Sequence, residues 1–424
     1  MSTGIEKLLR SCDSVHDYQI NSTKTESYEL FFVHRKLETV RSTDTESVNV
    51  TVYVDHDGKR GNASFRVYAS TTEEEMREKI ALAVEKAKMI DNQPYKLPEE
   101  ERADGEIASN LADGSPAELA ERIASAVFSA DQLEQGSINA LEIFINRLTV
   151  SVKNSRGIDK REVKYNAMIE AIPTWNDGES VELYEAKRFS GLDPEAIRLE
   201  IEEKMREVRD RGKAQPPKEK LSCPVLLKSQ EMRELVNELV DGLNYATVYA
   251  HANRFSVGDA VQTQPEGDRL EITMRGKLEG SVSSALFDRD GSALTDTAVI
   301  TNGTVSSYYG GSRYAQYLDL PVTGNLPCVE LQSGTLTAEE LAAKPYFVCA
   351  SMSGLQLDLF NDYIGGEVRL GYYFDGKELH PVTGVSISGK LSEALNSIRL
   401  ADTVETEGNY RGPVYGLLEG VEIV

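Results

Sequence analysis

A pattern of β-forming runs followed by a long amphipathic helix occurs twice in the first 213 residues of the chain. In the first copy, apolar and polar residues alternate over residues 48–54, and the dipeptide Asp57-Gly58 that follows is typical of a two-residue hairpin turn. In the second copy, residues 140–152 and 164–172 are also strand-like. Because such strands bury one face under helices, the pattern predicts an α+β N-terminal domain.

The helices that close the two copies have recognisable starts. Thr72 lies three residues before Glu75, which is the spacing of a capping box, and Asp193-Pro194 provides a cap followed by proline in the first turn. We interpret the pattern as an approximate internal duplication, with repeats at residues 16–90 and 138–213 joined by a loop and a helix over residues 91–131. The copies agree in pattern and not in identity, so two unrelated βα units are the alternative.

A proline-containing segment separates this region from a second one of different character. Pro216-Pro217 cannot continue a helix and favours an extended spacer. We therefore predict an N-terminal domain at residues 1–213, a linker at 214–222 and a C-terminal domain at 223–424. Beyond the linker, short strand-like runs alternate with turn signals such as Asn302-Gly303, which predicts a mainly-β, sandwich or barrel-like domain.

The charge and the apolar content of the chain exclude several classes of function. The net charge of −23 repels phosphate backbones, so we expect no nucleic-acid partner. No apolar run reaches the roughly 18 residues of a membrane span, and the N-terminus lacks the apolar core of a signal peptide. We expect a cytoplasmic protein with no membrane partner. The scattered cysteines fit a reducing compartment; they are Cys12, Cys223, Cys328 and Cys349.

No familiar catalytic or metal-binding motif is complete. The histidines have no metal-ligand spacing; they are His16, His34, His56, His251 and His380. A stand-alone hydrolase would need a cluster that the spacing hides, such as His251 meeting Cys349. The segment Asp288-x-Asp290-Gly291 is similar to the start of a calcium loop, but its last ligand position lacks a glutamate. A plain hairpin turn is the simpler interpretation.

Residues 231–259 are predicted to form a helix that runs into a polar, glycine-ended segment. Four short motifs elsewhere resemble, in their order and spacing, those of the TldD/TldE (PmbA) family, once called modulators of DNA gyrase and now understood as peptidases. The resemblance spans nearly the whole chain. The motifs are Asn154-Ser155-Arg156-Gly157, Phe287-Asp288-x-x-Gly291, Ile300-x-x-Gly303 and Thr323-Gly324-Asn325.

The resemblance implies that the helix within residues 231–259 corresponds to the zinc-binding helix of the family. TldD-like members carry a His-Glu-x-x-x-His helix and a late cysteine as zinc ligands, and the glutamate acts as a base on the zinc-bound water. Our alignment places Asn237 and Gly242 at the two histidine positions and Glu238 at the glutamate. Residues 408–413 occupy the region of the late cysteine. With these substitutions the zinc would be lost, so we expect no catalytic residue, metal or other cofactor in this chain.

The sequence therefore resembles the metal-free TldE (PmbA) branch of the family. The resemblance implies a non-catalytic subunit that pairs with a zinc-bearing, TldD-like subunit in a heterodimer acting on unfolded or leader peptides. Whether the chain is an enzyme by itself stays open at this point. The alternatives are a homodimeric peptide-binding or scaffold protein without proteolysis, and a stand-alone hydrolase with a hidden site.

Overall fold

The N-terminal region of the computed structural model, which describes residues 2–424, is built from long strands with helices on one side. Its helices are α1 (Ser2–Arg10), α2 (Glu73–Ala87), α3 (Pro116–Ser129) and α4 (Pro194–Lys213), with a 3₁₀ turn at Asn110–Ala112. Its strands are β1 (Asp17–Val33), β2 (Lys36–His56), β3 (Lys59–Val67), β4 (Arg102–Glu106), β5 (Gly136–Asn154), β6 (Asp159–Asp177), β7 (Glu179–Glu182) and β8 (Glu185–Phe189).

These strands form one sheet in the order β3-β2-β1-β5-β6-β4, and β7 and β8 also pair with β6. Strand β1 lies between β2 and β5 and is antiparallel to both along almost its whole length. The predicted hairpin turn is confirmed, because Asp57 and Gly58 connect β2 to β3 with φ values of 47° and 72°. Positive φ at both positions is what a two-residue hairpin of this type requires.

Helices cover one face of this sheet. Val50 and Val52 of β2 pack with Ile80 of α2, while Ile143 of β5 packs with Ile123 of α3 in a separate cluster that also includes apolar residues of α4. The predicted capping box of α2 is present, since Thr72 and Glu75 exchange hydrogen bonds. Helices segregated to one face of a largely antiparallel sheet confirm the α+β class.

Two features of this region differ from the sequence-based expectation. The predicted loop between α2 and α3 contains β4, which runs parallel to β6. The sequence of β4, Arg-Ala-Asp-Gly-Glu, has no apolar alternation, so only backbone pairing reveals it. Strand β1 is also 17 residues long, and its polar middle, residues 21–26, carries none of the apolar alternation that predicts strands elsewhere in this region.

The remainder of the chain is rich in short strands, as predicted. Its helices are α5 (Ser229–Asp241), α6 (Tyr245–Tyr249), α7 (Ser312–Leu318), α8 (Ala338–Leu341) and α9 (Leu391–Ser397). Its strands are β9 (Val225–Lys228), β10 (Ile272–Arg275), β11 (Thr297–Thr301), β12 (Thr304–Val305), β13 (Cys328–Leu331), β14 (Tyr346–Met352), β15 (Gln356–Asp358), β16 (Tyr363–Phe374), β17 (Leu379–Val382), β18 (Val385–Lys390), β19 (Arg399–Leu400), β20 (Val404–Glu407), β21 (Tyr410–Pro413), β22 (Tyr415–Leu418) and β23 (Val421–Ile423).

Two sheets enclose α5 in this C-terminal region. One has the order β12-β11-β10-β13-β21-β20, and the other has the order β19-β22-β9-β14-β16-β18-β23, with β15 and β17 also paired to β16. The apolar face of α5, including Leu235 and Leu239, shares one core with Ile272 and Val329 of the first sheet and Phe347 of the second. The core therefore fixes α5 and leaves its polar face open. The domain limits given above stay a prediction.

Among the helices that the structure describes, none is both long enough and apolar enough to cross a membrane.

Candidate functional site

The polar face of α5 borders an open pocket of about 460 Å³. The side chains around it are mostly charged or amide-bearing, with two leucines; they are Arg233, Glu234, Asn237, Glu238, Asp241, Leu355, Leu357 and Asn409. The pocket holds two of the three positions that the sequence assigned to the zinc motif, and Gly242 follows directly at the end of the helix.

Asn237 makes a reciprocal pair of hydrogen bonds with Asn409. Its Nδ2 donates to Oδ1 of Asn409 at 3.3 Å, and Nδ2 of Asn409 donates to Oδ1 of Asn237 at 3.0 Å. Asn409 lies in the turn between β20 and β21, where Gly408 has a φ of 60°. The structure therefore brings the first histidine position of the motif next to the segment assigned to the late cysteine. Asn409 itself had no local sequence signal, because its partner lies 172 residues away.

Glu238 and Gly242 make no comparable contact. Glu238 is largely exposed, but the limited desolvation by its neighbours and the nearby Asp241 and Asp358 carboxylates raise the pKa of its side chain. Gly242 ends α5 with a φ of −64°, which any residue can adopt. A side-chain carbon at Gly242 would meet only the carbonyl oxygen of Leu239, at 3.7 Å. The glycine is therefore not required by the backbone at this position.

These residues do not fit a zinc ion. Zinc takes imidazole nitrogen, thiolate sulfur or carboxylate oxygen, and the neutral amides of Asn237 and Asn409 satisfy each other instead. Across residues 2–424, no group of three or more His, Cys, Asp and Glu side chains is arranged to hold a metal ion. We therefore derive no metal-dependent step for this chain.

The structure also does not unite His251 with Cys349. Cys349 is completely buried on β14 in the core around α5, and burial raises the pKa of its thiol well above the ordinary value. His251 is exposed just after α6. Within the described residues no hydrogen bond joins the two side chains, so a catalytic pair between them has no structural support.

A larger cleft lies between the uncovered face of the N-terminal sheet and the loops of the C-terminal region. Its volume is about 1180 Å³. One wall is the sheet face, with three apolar side chains of β5 and with polar side chains of β1, β2 and β3, among them Gln19, Asn21, Asn49 and Asn62. The other wall consists of residues 283–290, the start of α7 and Asn325. We call this the inter-sheet cleft.

Asp288 organises the C-terminal wall of the inter-sheet cleft. Its Oδ1 accepts hydrogen bonds from the backbone N–H groups of Asp290 at 2.9 Å and Ser292 at 2.8 Å, and its Oδ2 accepts one from Asn325 N–H at 3.1 Å. Asn325 in turn accepts a hydrogen bond from Gly311 N–H at 3.2 Å. The Phe-Asp-x-x-Gly and Thr-Gly-Asn motifs are therefore one hydrogen-bonded unit. Since these N–H groups occupy the Asp288 carboxylate, the segment is a turn and not a calcium loop.

The same turn joins the two regions of the chain. The Arg289 carbonyl accepts hydrogen bonds from Gln19 Nε2 at 3.0 Å and from Asn21 Nδ2 at 2.6 Å. Gly291 has a φ of 83°, and a side-chain carbon there would lie 2.6 Å from Cγ2 of Ile158, in the turn between β5 and β6 of the N-terminal sheet. The glycine is therefore needed both for its backbone conformation and for this close approach.

The Asn-Ser-Arg-Gly motif closes the base of the N-terminal sheet around Asp17. Ser155 Oγ donates to Asp17 Oδ1 at 2.5 Å, and the Arg156 side chain donates to both oxygens, at 2.7 and 2.9 Å. Arg60 pairs with the same carboxylate. Burial raises the pKa of Asp17, but hydrogen bonds from Arg156, Ser155 and Arg60 outweigh it and hold the pKa below the ordinary value. The motif therefore has a structural role, because it connects the turn after β5 to the start of β1.

Known proteins resemble this chain both in the sequence of its C-terminal region and in its fold. Residues 220–423 match the model of the PmbA/TldA metallopeptidase C-terminal domain. No curated protein sequence matches the chain. TldE from Thermococcus kodakarensis has a similar structure, with a TM-score of 0.81, 15% identity, and coverage of 99% of this chain and 100% of that one.

Two further solved structures share the fold. A candidate modulator of a DNA gyrase from Thermotoga maritima gives a TM-score of 0.78 at 17% identity, over 100% of both chains. A candidate modulator of DNA gyrase from Bacteroides thetaiotaomicron gives 0.77 at 14% identity, over 100% of this chain and 97% of that one. The fold is thus shared over the full length, and the family match covers residues 220–423, just under half of the chain: this C-terminal region belongs to the family of the PmbA/TldA metallopeptidase C-terminal domain.

Proposed function

We propose that this chain is the metal-free, TldE/PmbA-like subunit of a cytoplasmic TldD/TldE-type zinc metallopeptidase complex acting on unfolded or leader peptides. The observation that carries the proposal is the Asn237–Asn409 amide pair, which occupies the place that the family alignment gives to zinc ligands. In this proposal a TldD-like partner supplies the zinc, and this chain supplies binding surface.

The chemistry of the α5 pocket supports a non-catalytic role. Glu238 is the one residue that matches the zinc motif, and a general base of this kind acts on a water that a metal has activated. Without ligands beside it, Glu238 is an exposed acid on a helix. The likeness to the fold of a protein named TldE also supports this branch of the family.

Reconstitution tests the proposal. The chain is purified alone and together with a TldD-like protein from the same host, and cleavage of an unstructured peptide is followed by mass spectrometry. We expect cleavage only with both subunits. Glu238→Gln in this chain is expected to leave the rate of the pair unchanged, while the equivalent change in the partner's own motif abolishes it. Cleavage by the chain alone, or loss of cleavage with Glu238→Gln, would contradict the proposal.

A pull-down distinguishes the proposed heterodimer from a homodimeric peptide-binding protein. If the chain recovers only itself and peptides from its host, and never a peptidase subunit, the chain is a homodimeric peptide-binding protein. Recovery of a TldD-like protein at equal stoichiometry is the result that the proposal predicts.

A further inference from the structure

The inter-sheet cleft carries an excess of positive charge within a strongly acidic chain. Three carboxylates line it, whereas acidic residues outnumber basic ones by 23 in the chain as a whole. The cationic residues of the cleft are five; they are Arg66, Lys96, Lys164, Arg289 and Arg313. Such a local reversal of sign in a cleft concentrates anionic ligands there.

Two of the three carboxylates are buried in the wall, where hydrogen bonds and, for Glu162, an ion pair with Lys164 at 3.7 Å partly offset their charge. Glu162 accepts a hydrogen bond from Leu286 N–H at 2.7 Å, and Asp288 accepts the three backbone hydrogen bonds described above. Both side chains are buried, with 2% and 6% exposure. Asp290 is the third acid. It lies in the turn that follows Asp288, and its Oδ1 accepts a hydrogen bond from Gln19 Nε2 at 3.4 Å.

Four of the cations lack a carboxylate partner. Within the part of the chain that the structure describes, Arg66, Lys96, Arg289 and Arg313 have no carboxylate oxygen within the 4.0 Å of an ion pair. Arginines elsewhere are used differently: Arg198, for example, pairs with two glutamates on the surface of α4. The charges in the cleft are therefore available to a ligand.

Arg313 is the most constrained of the four. Its guanidinium carbon lies 5.2 Å from the ring centre of Tyr95, 5.1 Å from that of Tyr314 and 5.5 Å from that of Tyr317. One terminal nitrogen donates to Asn92 Oδ1 at 2.7 Å, while Nε is buried without a hydrogen-bond partner among the described residues. A guanidinium already held by aromatic rings loses little conformational freedom when it binds a carboxylate.

The neutral part of the cleft favours a peptide over a nucleic acid. Gln19 closes this wall of the cleft, because it is 5% exposed and its Nε2 donates to the Arg289 carbonyl. Peptide groups both donate and accept hydrogen bonds, whereas phosphate groups only accept them. Asn21, Asn49 and Asn62 add side chains that both donate and accept, as peptide groups do.

We propose that the inter-sheet cleft binds an extended peptide segment rich in aspartate and glutamate. Arg313 anchors one carboxylate, Arg66, Lys96 and Arg289 attract the others, and the polar face of β1 to β3 meets the peptide backbone. The proposal rests on the proposed function only in treating the bound segment as part of a substrate of the complex. Binding itself is a property of this chain alone.

Fluorescence anisotropy with the purified full-length chain tests this binding. The probes are a labelled glutamate-rich peptide and the same peptide with glutamine or lysine in place of glutamate. We expect the glutamate peptide to bind at least about tenfold more tightly than the glutamine peptide, and added salt to weaken it. Arg313→Gln is expected to lower the affinity about tenfold, because it removes a charge-assisted hydrogen bond. Arg369→Gln, an exposed arginine on β16 outside the cleft, is the control and is expected to bind like the wild type.

Because Arg313 packs on three rings, Arg66→Gln/Arg289→Gln is measured beside it, with thermal unfolding to verify the fold. These two side chains are exposed, so their replacement weakens binding without disturbing the core. Equal binding of the glutamate and glutamine peptides overturns the proposal, as does tighter binding of a single-stranded oligonucleotide. Acid-selective binding by a chain that never stimulates a TldD-like partner would uphold this inference and contradict the proposed function.

Discussion

Replacing Asp288 by alanine is expected to destabilise the C-terminal region more than an ordinary turn substitution. The change leaves the N–H groups of Asp290, Ser292 and Asn325 without an acceptor in a turn that the N-terminal sheet covers. A buried polar group that loses its partner costs about 1–3 kcal/mol, so three such groups give a loss of about 3 kcal/mol at least.

Asparagine at the same position separates this mechanism from a simple effect of charge. Burial raises the pKa of Asp288 and its backbone hydrogen bonds only partly offset this, so its negative charge is not itself favourable. Asp288→Asn keeps an oxygen for Asp290 and Ser292 but places an amide against Asn325 N–H. Since one hydrogen bond is lost and the buried charge is relieved, we expect a loss of about 1 kcal/mol.

Urea unfolding of the two variants and a matched control measures these differences. Asp375 makes the same kind of turn, accepting from Lys377 N–H at 2.8 Å and Glu378 N–H at 2.9 Å, but it is exposed. Water replaces the lost acceptor there, so Asp375→Ala is expected to change the free energy of unfolding less than Asp288→Ala. Equal losses for the two alanine variants, or an Asp288→Asn as damaging as Asp288→Ala, would refute the reasoning.

Three further changes have defined outcomes. Gly291→Ala is expected to lower the free energy of unfolding by about 1–3 kcal/mol in urea titrations, because φ is positive and the new carbon meets the N-terminal sheet; unchanged stability would contradict that packing. Burial raises the pKa of Glu231 to about 7 from 4.5, so the stability associated with its protonated form is full below pH 4.5 and is lost as the pH rises through 7. Glu231→Gln is therefore expected to be more stable than the wild type at pH 8 by up to about 3 kcal/mol, and to show no such gain at pH 4; thermal unfolding across this range measures the difference, and a gain independent of pH would exclude the carboxylate as its source. The variant Asn237→His/Gly242→His/Asn409→Cys is expected to take up zinc that the wild type does not, as elemental analysis would show; unchanged metal content would count against the alignment of these positions.

Features set by neighbouring residues were accessible from the sequence. Asp57-Gly58 predicts its hairpin because both residues tolerate positive φ, and the capping box of Thr72 with Glu75 is formed within one helical turn. In contrast, β4 is stabilised by pairing with β6, more than 50 positions away in the chain, and its own residues carry no strand pattern. Local preference cannot reveal such an element.

The candidate sites likewise combine residues that the sequence located with contacts that only the fold creates. The resemblance located Asn237, Glu238 and Gly242 by their spacing on one helix. The hydrogen bonds that define the α5 pocket involve Asn409, which reaches Asn237 only when β21 joins its sheet. The charge of the inter-sheet cleft was also hidden, because its cations are dispersed among many acids in the sequence and converge only in the fold. Arg313, for example, lies over the ring of Tyr95, which is more than 200 positions away in the chain.

Zinc content is the most direct test of the central claim that this chain is the metal-free member of a peptidase pair. The chain is purified alone and in complex with a TldD-like subunit, and the zinc in each preparation is measured by elemental analysis. The account predicts negligible zinc in the chain alone and about one zinc per heterodimer, the latter removed by changing the ligand histidines of the partner. Stoichiometric zinc in the chain alone would contradict the account.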